Sequence, residues 1–253
     1  MRFLLYNIRY AAGAELNFHF PVPYSGYFRR TSDNLALIAR FVRSVHADII
    51  GLLEVDGGSF RTGRRSQAEE IAQGLGHYHV YRCKYGCDSL AHSLPLLREQ
   101  GNALMTNREI QSERCHYFSV GVKRLVLEME LEDVVVVLVH LSLKYRHRQY
   151  QLMELRSWLR EISKPLIVAG DFNLFRGVRE LQPFLEATGL RNGNCAGYAS
   201  HSSRNPRRQL DFILHSRQIE ITHFQVPHIP YSDHLPLYCD FEIRQDLKGA
   251  SPT

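Results

Sequence analysis

The sequence has few cysteines, and their spacing limits what they can do. The five cysteines among 253 residues are an odd and scattered set, and only Cys83 and Cys87 lie close together, as C-x3-C. No second Cys or His pair at zinc-finger spacing accompanies them, which argues against both a structural zinc site and a disulfide framework. We therefore expect reduced thiols and a cytoplasmic protein.

Long apolar runs, repeats and linkers are also missing. No run approaches the ~20 residues of a membrane span, and residues 1–7 become polar too early for a secretory signal. Without a repeat or linker we place no domain boundary. We expect one domain over residues 1–253, with residues 246–253 as a flexible tail, and a monomer. The net charge of +5 mildly favours a polyanionic partner.

Short apolar runs alternate with amphipathic segments along the chain. Runs rich in leucine, β-branched or aromatic residues predict strands at 2–7, 49–54, 79–82, 102–106, 124–131, 134–140, 166–171, 210–215 and 235–243. Helical spacing of apolar residues predicts helices at 33–45, 67–74, 148–162 and 178–188. Residues 16–30 and 85–100 lack periodicity and are predicted surface loops.

The order of these elements limits the fold class. A predicted hairpin joins strands 124–131 and 134–140 through Glu132 and Asp133. A hairpin argues against an all-parallel sheet. We expect a mixed two-sheet core with helices outside.

Polar residues stand at the ends of six apolar strands. They are Asn7, Glu54, His140, Asp171 with Asn173, Asp211, and Asp233 with His234. One such residue is compatible with a turn or the end of a strand, but six positions of related chemistry indicate convergence on one rim. Carboxylates and amides without cysteine suit Mg²⁺ or Mn²⁺ better than zinc, and histidines can bind or protonate phosphate oxygens. The set predicts a phosphoryl-ester hydrolase.

These residues lie in motifs that occur in a familiar order. The motifs are YNIR with Asn7, GLLEV with Glu54, LVHLS with His140, AGDFN with Asp171 and Asn173, QLDFIL with Asp211, and SDHLPL with Asp233 and His234. In this order and over nearly the whole chain, the sequence resembles the endonuclease/exonuclease/phosphatase superfamily. The resemblance implies an α+β fold, a four-layer αββα sandwich of two mixed sheets packed face to face with helices outside.

The resemblance also implies a role for each residue. Glu54 would be the principal ligand of Mg²⁺ or Mn²⁺, with Asn7 and Asp233 as further ligands. Asp171 would orient or deprotonate the attacking water. The remaining four would contact the phosphate or support that contact: Asn173 and His140 on phosphate oxygens, His234 against the scissile phosphate, and Asp211 paired with His234.

The substrate is less well defined, because the family cleaves several kinds of phosphate ester. Basic residues flank three motifs: Arg61, Arg64 and Arg65; Lys144, Arg146, His147 and Arg148; and Arg204, Arg207 and Arg208. They slightly favour nucleic acid. Segment 99–106, EQGNALMT, resembles sphingomyelinase-like and deadenylase-like members, which keeps a lipid headgroup or a sugar or inositol phosphate open. We predict Asn102, Arg146, Arg207 and Arg208 to bind substrate. A binding protein without catalysis is a third possibility, disfavoured because every expected polar position is filled.

Overall fold

A computed structural model of the chain describes residues 1–14, 31–84 and 98–244. The predicted loop 16–30, nearly all of the predicted loop 85–100 and the predicted tail lie outside the described residues. The described strands are β1 (Arg2–Asn7), β2 (Ile49–Asp56), β3 (Tyr78–Cys83), β4 (Gln100–Thr106), β5 (Ser112–Tyr117), β6 (Leu125–Glu130), β7 (Val135–His140), β8 (Leu166–Asp171), β9 (Arg191–Asn192), β10 (Asp211–His215), β11 (Ile219–Gln225) and β12 (Leu237–Ile243). The described α-helices are α1 (Ser32–Val45), α2 (Gln67–Leu75), α3 (Tyr145–Leu159) and α4 (Gln182–Thr188).

The strands form two mixed sheets. The first has the order β11-β12-β1-β2-β4-β3 and the second the order β5-β6-β7-β8-β10-β9. Each sheet has one parallel pair at its centre, β1 with β2 and β7 with β8, and the pairs around it are antiparallel. In the sequence, a helix connects the two strands of each parallel pair, because the chain must cross back over the sheet before it can form a parallel neighbour.

Alternation along the strands builds four layers. Phe3 and Leu5 of β1 point into the core between the sheets, whereas Leu4 and Tyr6 pack beneath α1 and α2. The second sheet likewise turns one face to the shared core and the other to α3 and α4. Central strands that are covered on both faces have continuous apolar sequences. An example is β7, with the sequence VVVLVH. The predicted four-layer fold is confirmed.

Three described strands, β5, β9 and β11, were not predicted from the sequence. All three lie at sheet edges. β5, SERCHY, is mostly exposed and β9 has two residues, so neither shows an apolar run. The predicted helix 178–188 is a 3-10 turn, Val178–Leu181, followed by α4. Pro183 lies in the first turn of α4, where its missing N–H costs no helical hydrogen bond. None of the described helices combines the length and apolarity needed to cross a membrane.

Gly170 brings the strands of the second sheet's parallel pair together next to the predicted site. It pairs with Val139 and has a φ of 153°. A Cβ atom at this position would lie 1.8 Å from the carbonyl oxygen of Val139. Because His140 and Asp171 are the next residues on the two strands, the glycine sets their separation.

We expect Gly170→Ala to destabilise the protein by about 3 kcal/mol, because the strands must separate to admit the methyl group. Gly177→Ala is a matched control, since Gly177 has a φ of 101° but no atom within 4 Å of its added Cβ. The control should cost only about 1 kcal/mol of backbone strain. Urea unfolding measures both, and equal losses would show that the close approach at Gly170 is unimportant.

Candidate active site

The predicted polar residues converge where the two sheets end side by side. Asn7, at the end of β1, donates from Nδ2 to Asp171 Oδ2 over 3.4 Å. His140 Nε2, at the end of β7, lies 3.1 Å from the same carboxylate oxygen. All three side chains are buried. Asn7 belongs to the first sheet and the other two to the second, so these contacts join the two sheets at one rim.

A buried hydrogen-bonded chain runs from Ser200 through Asp211 to His234. Ser200 Oγ donates to Asp211 Oδ2 over 2.6 Å, and His234 Nδ1 lies 2.7 Å from the same oxygen. The other ring nitrogen, Nε2, lies 3.8 Å from Asp171 Oδ2. Burial by itself lowers the pKa of His234, but Asp211 and Asp171 outweigh it and raise that pKa to about 10. His234 is therefore a cation between two carboxylates at neutral pH.

Glu54 lies on an irregular part of β2. The register with β4 shifts between Leu52 and Val55, and Glu54 has a φ of 54°. Such a conformation costs of order 1–3 kcal/mol in a residue other than glycine. Asn102 Oδ1 accepts a hydrogen bond of 3.2 Å from the Glu54 N–H, which the ladder no longer pairs. Asn102 is buried and supports Glu54 from behind, and its predicted contact with substrate stays a prediction.

The Glu54 carboxylate faces two lysines that the sequence did not single out. Lys123 Nζ lies 3.3 Å from Glu54 Oε1 and also contacts His140 Nε2. Burial opposes ionisation of Glu54, but Lys123 and the buried Lys84 outweigh it and lower its pKa to about 2. The carboxylate is therefore charged. Burial and Lys123 lower the pKa of His140 below its usual value, although Asp171 and Glu54 oppose this shift.

Asp171 and Asn173 share a tight turn after β8. Asn173 has a φ of 53°, and its N–H donates to Asp171 Oδ1 over 2.9 Å. Its side-chain Nδ2 donates to the Leu141 carbonyl oxygen over 2.9 Å. Burial opposes ionisation of Asp171, but His140 and His234 outweigh it and hold the pKa of the carboxyl below its usual range. Asn173 thus fixes an ionised Asp171, and its own contact with phosphate stays a prediction.

Glu54 offers a carboxylate of the kind that a hard divalent ion binds, but the two groups of three closely spaced ligand atoms among the described residues do not include it: one is His201, Asp233 and His234, and the other is Asp171, Asp211 and His234. Glu54 is ionised and 13% exposed, and carboxylate and amide oxygens are the donors that Mg²⁺ and Mn²⁺ prefer. Asp233, predicted as a third ligand, pairs with Arg9 at 3.5 Å. Among the described residues its ligand atoms cluster with those of His201 and His234. The metal roles of Glu54, Asn7 and Asp233 stay predictions.

Two residues of the predicted basic clusters have structural roles instead. Arg61 is buried and pairs with Asp56 at 2.8 Å, and Arg148 is buried and pairs with Glu180 at 2.6 Å. Neither guanidinium faces solvent, so these two members of the clusters do not belong to a basic surface that a polyanion could contact. The sequence could not show this, because the guanidinium of Arg61 packs over the ring of Tyr10 and that of Arg148 pairs with Glu180, 32 residues away.

Exposed basic residues remain beside the site. Arg146, Arg207 and Arg208 are exposed, as predicted substrate ligands must be. The guanidinium of Arg208 lies 5.5 Å from the ring centre of Phe175, which is 41% exposed. Isolated β-bridges join His201 to Arg208 and to His234. One basic segment is therefore held directly beside the buried histidine.

Comparison with known proteins gives four findings. A profile of the Endonuclease/Exonuclease/phosphatase family matches residues 4–234. The uncharacterized protein YbhP of Escherichia coli is 35% identical over 86 residues, which are 30% of this chain and only 34% of YbhP. An endonuclease/exonuclease/phosphatase from Beutenbergia cavernae superposes with a TM-score of 0.72 at 18% identity, over 96% of this chain and 72% of that one.

A mannosyl-6-phosphatase of Bacteroides thetaiotaomicron superposes with a TM-score of 0.71 at 14% identity, over 96% of this chain and 100% of that one. At such low identities the two structural likenesses show the fold alone.

The Asp211–His234 pair should show strong coupling in folding stability. In a double-mutant cycle of Asp211→Asn and His234→Ala we expect the two losses to be non-additive by about 1–3 kcal/mol, since each partner removed leaves the other buried and unpaired. Urea unfolding without added metal measures the coupling. The exposed pair of Arg82 and Glu113 is the control and should couple by less than about 1 kcal/mol. Additive losses at Asp211 and His234 would contradict the pairing.

Proposed function

Because the chain belongs to the endonuclease/exonuclease/phosphatase family, whose members hydrolyse phosphate esters, we propose that it is a phosphodiesterase dependent on Mg²⁺ or Mn²⁺. Water would attack the phosphorus atom in line with the leaving oxygen. The observation that carries the proposal is the buried, ionised Asp171, held among Asn7, His140 and the charged His234. This places an acceptor for water protons next to a donor for phosphate oxygens.

Each residue has a role that its surroundings support. Asp171 accepts a hydrogen bond from the attacking water and aligns it. His234 donates its Nε2 proton to a phosphate oxygen, and Asp211 keeps that ring charged and oriented. His140 contacts the phosphate from the other side, and Asn173 holds the turn that presents Asp171.

The ion would be held by Glu54, with Asn7 and Asp233 as further ligands. When bound, it supplies positive charge that neutralises the charge developing on the phosphate oxygens.

Nucleic acid is the substrate class that we favour. The exposed Arg207 and Arg208 lie on the segment bridged to His201, and the guanidinium of Arg208 lies over the ring of the exposed Phe175. Cations beside an exposed aromatic ring suit a chain of phosphates that carries flat bases. The burial of Arg61 and Arg148 leaves a smaller basic surface than the sequence indicated. The smaller basic surface also suits a second class of substrate, a lipid headgroup or a sugar or inositol phosphate.

Glu54→Gln tests the metal assignment. The amide keeps the shape of the side chain but removes its charge, so we expect most of the affinity for Mg²⁺ and the activity at low Mg²⁺ to be lost. Hydrolysis of bis-p-nitrophenyl phosphate over a Mg²⁺ titration measures the effect. A variant as active as wild type throughout the titration would exclude Glu54 as the metal ligand.

A salt titration tests the substrate class. Binding of an Asp171→Asn protein to a short single-stranded oligonucleotide should weaken with a slope of about −3 to −4 in log affinity against log salt if about five phosphates are contacted. Reversal of Arg204, Arg207 and Arg208 to Glu should flatten the slope and spare hydrolysis of a small diester in the active protein.

The matched control reverses three arginines at the far end of the second sheet, Arg160, Arg191 and Arg217. It should leave the slope unchanged. A slope near zero for the parent protein would favour the small phosphate ester instead.

A further inference from the structure

Lys123 has a position beside Glu54 that the proposed reaction does not explain. It lies in the loop between β5 and β6 and is 19% exposed. Its ammonium group is 3.3 Å from Glu54 Oε1 and contacts His140 Nε2, while His140 Nε2 is 3.9 Å from the same glutamate oxygen. The ammonium therefore sits against the carboxylate that the proposed metal needs, on the side facing the phosphate-binding histidine.

The backbone of Lys123 is fixed by buried groups. Gln151 of α3 is fully buried, and its Nε2 donates to the carbonyl oxygens of Lys123, over 2.7 Å, and Val120, over 2.9 Å. Its Oε1 accepts from the N–H of Ser142 over 2.8 Å. Gly121 has a φ of 98°, and a Cβ there would lie 2.2 Å from Ser142 Oγ. These contacts fix the backbone position of Lys123 in the loop.

The other carboxylates of the rim have their own cationic partners. Asp211 is paired with His234, and Asp233 with Arg9. In the described part of the chain, Lys84 also contributes positive charge near Glu54, and Lys123 is the lysine whose ammonium forms an ion pair with it, at 3.3 Å. A divalent ion bound to Glu54 would meet this ammonium at a distance where like charges repel strongly.

We propose that Lys123 is a built-in counter-cation of Glu54, which a divalent ion must displace in order to bind. In the metal-free protein the ammonium balances a carboxylate that is otherwise largely desolvated. Once displaced, the flexible side chain is released from Glu54 beside His140, where a phosphate group would be bound. The inference rests on the proposed metal role of Glu54, and it makes Lys123 a positioning residue that sets metal affinity.

The test is calorimetric titration of Mn²⁺ into the substrate-free protein. Removing the competing charge with Lys123→Met should tighten Mn²⁺ binding by at least about tenfold, and the Tm gained on adding Mn²⁺ should be larger than in wild type. A lysine with a merely structural role would give no gain in affinity. Lys123→Arg keeps the charge and should bind Mn²⁺ as wild type does.

Lys164→Met is the matched control. Lys164 pairs with Glu130 at 2.7 Å, at the opposite end of β8 from Asp171, and its loss should leave Mn²⁺ affinity unchanged. Lys123→Gln serves as a second neutral variant in case the Met protein does not fold. Glu54→Gln identifies which part of the heat comes from the site.

The outcomes separate this inference from the proposed function. If wild type binds Mn²⁺ through Glu54 and the neutral Lys123 variants bind no more tightly, the counter-cation role is wrong and the metal assignment stands. If the neutral variants bind Mn²⁺ and wild type does not, the inference is supported in its strongest form. If neither binds, the metal assignment falls, and the inference falls with it.

Discussion

The burial of carboxylates at one rim is the constraint on which the rest of the site depends. An ionised carboxylate removed from water is costly unless a cation or hydrogen bonds compensate it. Here Asp211 has His234, Asp233 has Arg9, and Glu54 has Lys123. Asp171, the most central, lies between two histidines. The proposed chemistry uses this balance, since substrate phosphate and metal would enter a site whose charges are already matched.

The backbone at the rim adopts strained conformations that position the side chains of the site at a cost in stability. Glu54 and Asn173 both adopt left-handed conformations. Each is held by a hydrogen bond that it donates, Glu54 from its N–H to Asn102 Oδ1 and Asn173 from Nδ2 to the Leu141 carbonyl oxygen. The two parallel pairs at the centres of the sheets supply the rigid frame. Strain of this kind persists only where the surrounding structure over-determines it, as the double-sided burial of β2 and β8 does.

The fold and most of the site could be predicted because they depend on local sequence patterns, namely apolar runs and the polar residues at their ends. Asn7, His140 and Asp171 end apolar strands, and strand ends meet at a rim. Lys123 and Ser200 could not be found this way, since they lie in segments without periodicity and acquire their roles from Glu54 and Asp211, distant in sequence. The burial of Arg61 could not be predicted either, because its guanidinium packs over the ring of Tyr10 on a separate part of the chain in addition to pairing with the nearby Asp56. Edge strands such as β5 lack the apolar run that marks a central strand.

Attack of water, aligned by Asp171, on phosphorus is the step on which the proposed function depends. It is tested most directly by hydrolysis in ¹⁸O-labelled water with Mg²⁺ or Mn²⁺, over a panel of a chromogenic diester, single-stranded RNA, plasmid, sphingomyelin and inositol phosphates. We expect at least one ester to be cleaved with ¹⁸O in the phosphate product, and Asp171→Asn to slow this cleavage by orders of magnitude. Cleavage of none of them, label in the alcohol product, or an unaffected Asp171→Asn protein would contradict it.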